Sequence, residues 1–77
     1  MGVRLADAPS DLLTAREAEV LLLVAQGMSG AAISDALGVS EPTVRHHAEH
    51  LLAKLGVSSR AAAVAEGFRR GLLVLAD

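Results

Sequence analysis

The stretch ISDALGVSEPTVRHHAEH, residues 33–50, decides the fold. Its centre, Gly38-Val39-Ser40, has room only for a tight connection, and both flanks read as helix. Gly38 can take the left-handed conformation that ends a helix. Ser40 can cap the next one. Pro42 falls in that helix's first turn, where a missing amide is harmless because those donors have no partner within the helix. Val39 and Val44 have the spacing of a hydrophobic staple. A turn of three or four residues containing glycine, between two capped helices, fits a helix-turn-helix. Ala31, Ala32, Ser34 and Ala36 are small enough to let two helices approach closely. Ile33, Leu37 and Val39 supply apolar contacts, and Val44, Ala48, Leu51 and Leu55 meet them at helical spacing. Arg45, His46, Glu49, His50 and Ala53 are left facing outward.

Working outward, Thr14-Ala-Arg-Glu17 is a capping box: the hydroxyl takes the N3 amide and the carboxylate reaches back to the cap. It predicts a helix from Ala15 to Gln26 that stops at Gly27. Val20, Leu21, Val24 and Ala25 make its inner stripe, with Glu19, Leu22 and Gln26 opposite. Ser29 caps a second helix from Gly30 to Leu37, with Met28 and Ile33 as its staple. Gly56 ends the third helix. Ser58 or Ser59 begins a fourth, running to about Arg70 and ending at Gly71. The apolar tail Leu72 to Leu75 is expected to fold back on the core. Residues 1–12, with Asp7, Pro9, Ser10 and Asp11, read as a flexible lead-in. The expected fold class is all-α: a compact four-helix domain over residues 13–75, its helix-turn-helix at about 30–49. Almost nothing reads as strand.

The bulk properties narrow the function classes. The chain has 77 residues, 52% hydrophobic and 21% charged, which suits one packed domain. It has no cysteine, which removes disulfides and thiolate metal sites and fits a reducing compartment. The longest apolar run, Val20 to Ala25, is far below the roughly 20 residues that span a bilayer, and no secretory signal is visible. A net charge of −2 and a pI of about 5.8 count against nucleic acid. Their distribution is more favourable. Residues 1–20 carry a balance of −2, whereas Arg45, Lys54 and Arg60 outnumber Glu41 and Glu49 across residues 41–60.

The third helix admits two chemical readings. His46-x-x-Glu49-His50 has the H-x-x-E-H order of one zinc peptidase class, and His46 and His50 share a helical face. Zinc catalysis also needs a third protein ligand, an open position and a cleft. The only carboxylates downstream are Glu66 and Asp77, and a domain this small offers little room for a substrate groove. No catalytic residue, metal or cofactor is therefore expected. In the other reading the helix enters the major groove of double-stranded DNA with its N-terminal residues nearest the bases. Ser40, Thr43 and the first amides can bind phosphate. Arg45 can donate to guanine and Glu49 can accept from the cytosine amino group. His46 and His50 face DNA or solvent, His47 packs at the helix margin within reach of phosphate, and Lys54 reaches backbone phosphate.

The segment LTAREAEVLLLVAQGMSGAAISDALGVSEPTVRHHAEHLLAKLGVSSRAAAV resembles the LuxR-type helix-turn-helix, the DNA-binding domain of NarL-like response regulators and quorum-sensing activators. The likeness covers about Leu13 to Leu73. It is carried by Leu13-Thr14, Arg16-Glu17, Val20-Leu21, Gly27, Ile33 and Leu37-Gly38-Val39-Ser40. Further matches are Thr43-Val44-Arg45, His47, Lys54-Leu55-Gly56-Val57, Ser59-Arg60 and Ala63. The resemblance implies a cytoplasmic bacterial transcription regulator, without enzymatic activity, that dimerises through its last helix, with RNA polymerase as a further partner. By position it puts Arg45 and His46 toward the bases, Glu49 at a third groove-facing site, and Thr43 and Lys54 on the backbone. Two departures stand out. Gly30-Ala31-Ala32 replaces the family's frequent Asn-Lys-Glu, removing a phosphate-binding lysine, and Glu49 and His50 stand where basic or amide side chains are common. Weaker non-specific binding and more reliance on dimerisation are expected.

Two further features stay open on the sequence. Glu17 and Arg60 either cap their own helices or pair with each other. Ala61, Val64, Ala65 and Phe68 make an apolar stripe on the fourth helix, with Gly67 exposing backbone. That stripe packs on the domain's own core, which Phe68 joins, or forms a two-fold dimer contact, which the resemblance favours, on DNA alone or also without it. The alternatives to a regulator are a protein-interaction helical bundle, favoured by the acidic pI, and a sigma-factor promoter-reading domain.

Overall fold

A computed structural model of the chain describes residues 2–7 and 11–76. Four helices and a two-stranded ribbon follow in the order β1 (Gly2–Leu5), α1 (Ala15–Ala25), α2 (Gly30–Leu37), α3 (Glu41–Leu55), α4 (Arg60–Arg69) and β2 (Leu73–Ala76). Each helix starts on a hydroxyl: Thr14, Ser29, Ser40 and Ser59 each accept a hydrogen bond from the amide three residues on. At Thr14 the full capping box forms, with Glu17 accepting from the Thr14 amide at 2.9 Å.

The turn between α2 and α3 depends on Gly38, whose φ of 70° lies where a Cβ is strained. That geometry sends the Val39 amide back to the Ser34 carbonyl at 3.1 Å and closes α2. Gly56, φ 69°, ends α3 in the same way, with the Val57 amide on the Leu52 carbonyl at 3.0 Å. The apolar residue after each glycine, Val39 or Val57, packs against the core. The Ser40 cap and the Gly56 stop together fix the length of α3.

The core lies where the four helices meet. Val20 and Leu21 of α1, Ile33 of α2, Val44, Ala48, Leu51 and Leu55 of α3, and Ala63 of α4 are all buried, with Leu13 and Leu73 closing the two ends. Full burial of each large aliphatic side chain contributes about 1.5–3 kcal/mol. α3 packs on α1, α2 and α4, so three neighbours set its orientation.

The ribbon departs from the sequence expectation. Part of the presumed flexible lead-in, Gly2–Leu5, pairs antiparallel with Leu73–Ala76, in register Gly2 with Ala76 and Leu5 with Leu73. Val3, Leu5, Leu73 and Leu75 share one face. Leu73 is buried and Leu5 half-buried, so the inner end of that face is apolar cover for α1 and α4. The Ala6 amide donates to the Leu72 carbonyl at 2.9 Å and extends the ladder inward, and the Gln26 side chain reaches the Val3 carbonyl. The expected return of the tail to the core is thus made by a strand. Met1, Ala8, Pro9 and Ser10 of the lead-in, and Asp77, lie outside the described residues.

Candidate nucleic-acid interface

The apolar side of α3 is buried through Val44, Ala48, Leu51 and Leu55. The opposite side carries Arg45, His46, Glu49, His50 and Ala53, all exposed, in the register expected from the sequence. Ser40 is exposed and Thr43 half-buried. The Ser40 hydroxyl accepts from the Thr43 amide at 3.2 Å and lies 2.9 Å from the Thr43 hydroxyl, so the two oxygens stand together at the helix start. The His46 and His50 rings pack at 4.2 Å between centroids, tilted by 48°, forming a single block one turn long. His47 is half-buried at the margin. Arg45 and Glu49 are one turn apart, yet no ion pair joins them, and both are open to an incoming partner.

The far end of α3 is held differently from the expectation. The Lys54 ammonium donates to Glu17 Oε1 at 2.7 Å, and that oxygen also accepts from the Thr14 amide. The Glu17 residue is only 3% exposed. Burial disfavours its charge, but the Lys54 hydrogen bond, the Thr14 amide, the Lys54 charge and the Thr14 hydroxyl more than offset this and hold its carboxyl below the usual 4.5. The pair ties α1 to α3 and fixes how α3 is rolled. Lys54, expected on phosphate, is paired here with Glu17 while its own side chain stays 36% exposed. The Glu17–Arg60 pair is also not formed. The Arg60 guanidinium lies instead at the start of α2, with Nη2 3.7 Å from where a Cβ on Gly30 would stand. Glu17 and Lys54 lie 37 positions apart, so no spacing signal could have joined them.

α4 separates the proposed dimer residues. Ala61, Ala65 and Phe68 are exposed and Val64 half-buried, so these four form a surface stripe. Phe68 is 36% exposed and does not join the core, contrary to expectation. Gly67 points the other way. It is buried, and a Cβ there would meet Leu73 Cδ1 at 2.8 Å and Leu21 Cδ2 at 3.2 Å, so its small size serves internal packing. Glu66 receives hydrogen bonds from Arg69, then Arg70, which lower its carboxyl to about 2. Arg70 also reaches the Leu55 carbonyl at 3.4 Å and braces the end of α3.

Among the described residues no group of three or more His, Cys, Asp or Glu stands where one metal ion could be held, and no helix is long and apolar enough to cross a membrane. Four capped helices with a solvent-facing second helix in a tight helix-turn-helix define the class: a DNA-binding domain of the helix-turn-helix type.

Comparison with known proteins narrows this further. The profile of the GerE family, "Bacterial regulatory proteins, luxR family", matches residues 11–66. The probable transcriptional regulatory protein NarL of Mycobacterium tuberculosis strain H37Rv is 53% identical over 62 residues, covering 80% of this chain and 29% of that protein. The nitrate/nitrite response regulator protein NarP of Escherichia coli K12 is 49% identical over 55 residues, covering 71% and 26%. The solved structure of the transcription factor GerE superposes with a TM-score of 0.72 at 46% identity, over 80% of this chain and 92% of that one. The response regulator ChrA of a heme-sensing two-component system gives 0.78 at 38% identity, over 84% and 32%. The chain belongs to the luxR family of bacterial regulatory proteins, and its helix-turn-helix is the DNA-binding domain of a transcription regulator. It spans less than a third of the length of the curated relatives it matches.

Proposed function

We propose that α3 enters the major groove of duplex DNA and reads sequence there on behalf of a cytoplasmic bacterial transcription regulator. The observation that carries this is the outward row Arg45, His46, Glu49 and His50 on a helix whose other side is buried against three neighbours. Arg45 is assigned to guanine and Glu49 to the cytosine amino group, the geometry these side chains favour at base edges. Ser40, Thr43 and His47 border the groove and face phosphate. Glu49 also repels phosphate wherever its cytosine is missing, so it sharpens selection by weakening wrong sites.

The stripe of Ala61, Val64, Ala65 and Phe68 supports a second proposal, a homodimer paired through α4 on two half-sites. RNA polymerase would be the further partner of such a regulator. The test is selection of bound duplexes from a random pool, followed by gel shifts over a salt series. The reading expects an inverted repeat, affinity falling with salt, and a two-to-one complex from a protein that sediments as monomer alone at micromolar concentration. No shift at low salt on any recovered duplex would overturn it.

A further inference from the structure

The chain carries seven basic side chains. Five are matched by the domain's own carboxylates: Arg4 with Asp7, Arg16 with Glu19, Lys54 with Glu17, and Arg69 and Arg70 with Glu66. Only Arg45 and Arg60 have no ion pair among the described residues. These two, one on α3 and one at the first position of α4, line the same open cleft of about 240 Å³ together with Gly30, Glu41 and Val44. In an acidic domain that neutralises its other cations, two unmatched guanidiniums at one cleft leave a local field that favours an anion.

The place of the cleft says which anion. It borders the N-terminal turn of α3, the part of a recognition helix that sits nearest the bases, and it includes the first residue of α2, the helix that crosses the DNA backbone in this motif. The sequence of α2, GAAISDAL, carries no cation of its own. Gly30 presents no side chain toward the Arg60 guanidinium, which therefore stands open above the start of α2.

We infer that Arg60 clamps a backbone phosphate of the bound duplex, while Arg45, across the cleft and on its base edge, adds only its positive field, and that α4 supplies the phosphate contact its α2 lacks. The inference rests on the DNA reading above. Glu41, in the cleft wall, opposes the phosphate and moderates the clamp. Lys54, matched by Glu17, contributes little.

The experiment is fluorescence anisotropy of a random-sequence duplex with the wild-type chain and with Arg60→Ala, Arg60→Lys and Glu41→Gln, each checked for its melting temperature. One lost phosphate contact lowers the slope of log affinity against log salt by about 0.9. Between 50 and 200 mM salt, the Arg60→Ala variant should accordingly lose about 3-fold less affinity than wild type. Arg60→Lys should recover the slope and Glu41→Gln should bind more tightly at low salt. Wild-type binding with an unchanged slope in a folded Arg60→Ala variant overturns the clamp alone. Absence of binding by the wild type overturns the DNA reading and the clamp with it.

Discussion

Gly67→Ala tests how the ribbon is anchored beneath α4. The added methyl carbon would stand 2.8 Å from Leu73 Cδ1 and 3.2 Å from both Leu73 Cγ and Leu21 Cδ2. Unstrained carbon pairs sit at about 3.5–4.0 Å, so the neighbours must retreat by roughly 0.7 Å. They have nowhere to go: Leu21 is 0% exposed and Leu73 1%. Replacing an interior helical glycine by alanine gains about 1 kcal/mol in backbone propensity. Overpacking a filled core costs about 1–3 kcal/mol. The clash wins, and a net loss of about 1 kcal/mol corresponds to a drop of about 4–8 °C in a domain of this size. Thermal unfolding followed by circular dichroism reads the shift. Gly30→Ala is the matched control, because its new methyl meets nothing nearer than Arg60 Nη2 at 3.7 Å, and its melting temperature should hold or rise slightly. A Gly67→Ala variant as stable as wild type, or more so, would refute the packing of Leu73 under α4.

Removing either partner of the Glu17–Lys54 pair, as in Glu17→Gln or Lys54→Met, should destabilise the domain by about 1–3 kcal/mol, below the full range for buried pairs because Lys54 is partly exposed. A double-mutant cycle should show coupling for Glu17 with Lys54 and none for Glu17 with Arg60. Acid should weaken the fold through Glu17 and Glu66. Both carboxyls are depressed in the folded chain, so their contribution is complete above the ordinary 4.5 and is lost as pH falls, down to about 2 for Glu66. Melting temperature against pH should therefore decline below about 4.5, and Glu66→Gln should flatten that decline. Phe68→Ser should leave the monomer's melting temperature within a few degrees, since the ring is already part exposed, and abolish cooperative two-to-one binding on a two-half-site duplex. Persistence of that complex would remove the α4 dimer.

Helix boundaries were legible because their signals are local. Thr14, Ser29 and Ser40 cap, and Gly38 and Gly56 stop, each acting within a few residues. The outward row on α3 was legible for the same reason: four buried positions at helical spacing leave no choice about which side chains face solvent. What escaped was set by contacts between distant positions. Gly2–Leu5 is too short to announce itself as a strand, and its partner lies at the other end of the chain. A buried capping glutamate needs a cation on its free side, yet nothing local names Lys54 over Arg60. Gly67 and Phe68 are adjacent on α4 and face opposite ways: the glycine is small because a leucine presses on it, and the phenylalanine lies outside the core that its hydrophobicity suggested.

The pairing of Gly2 with Ala76 brings the described chain's two extremities side by side. A load applied between them would open the ribbon like a zipper, one rung at a time from the outer end, and not as a simultaneous shear of all its bonds. The innermost bond, from the Ala6 amide to the Leu72 carbonyl, would let go last. α3 is thereby shielded from traction at either extremity until the innermost bond parts.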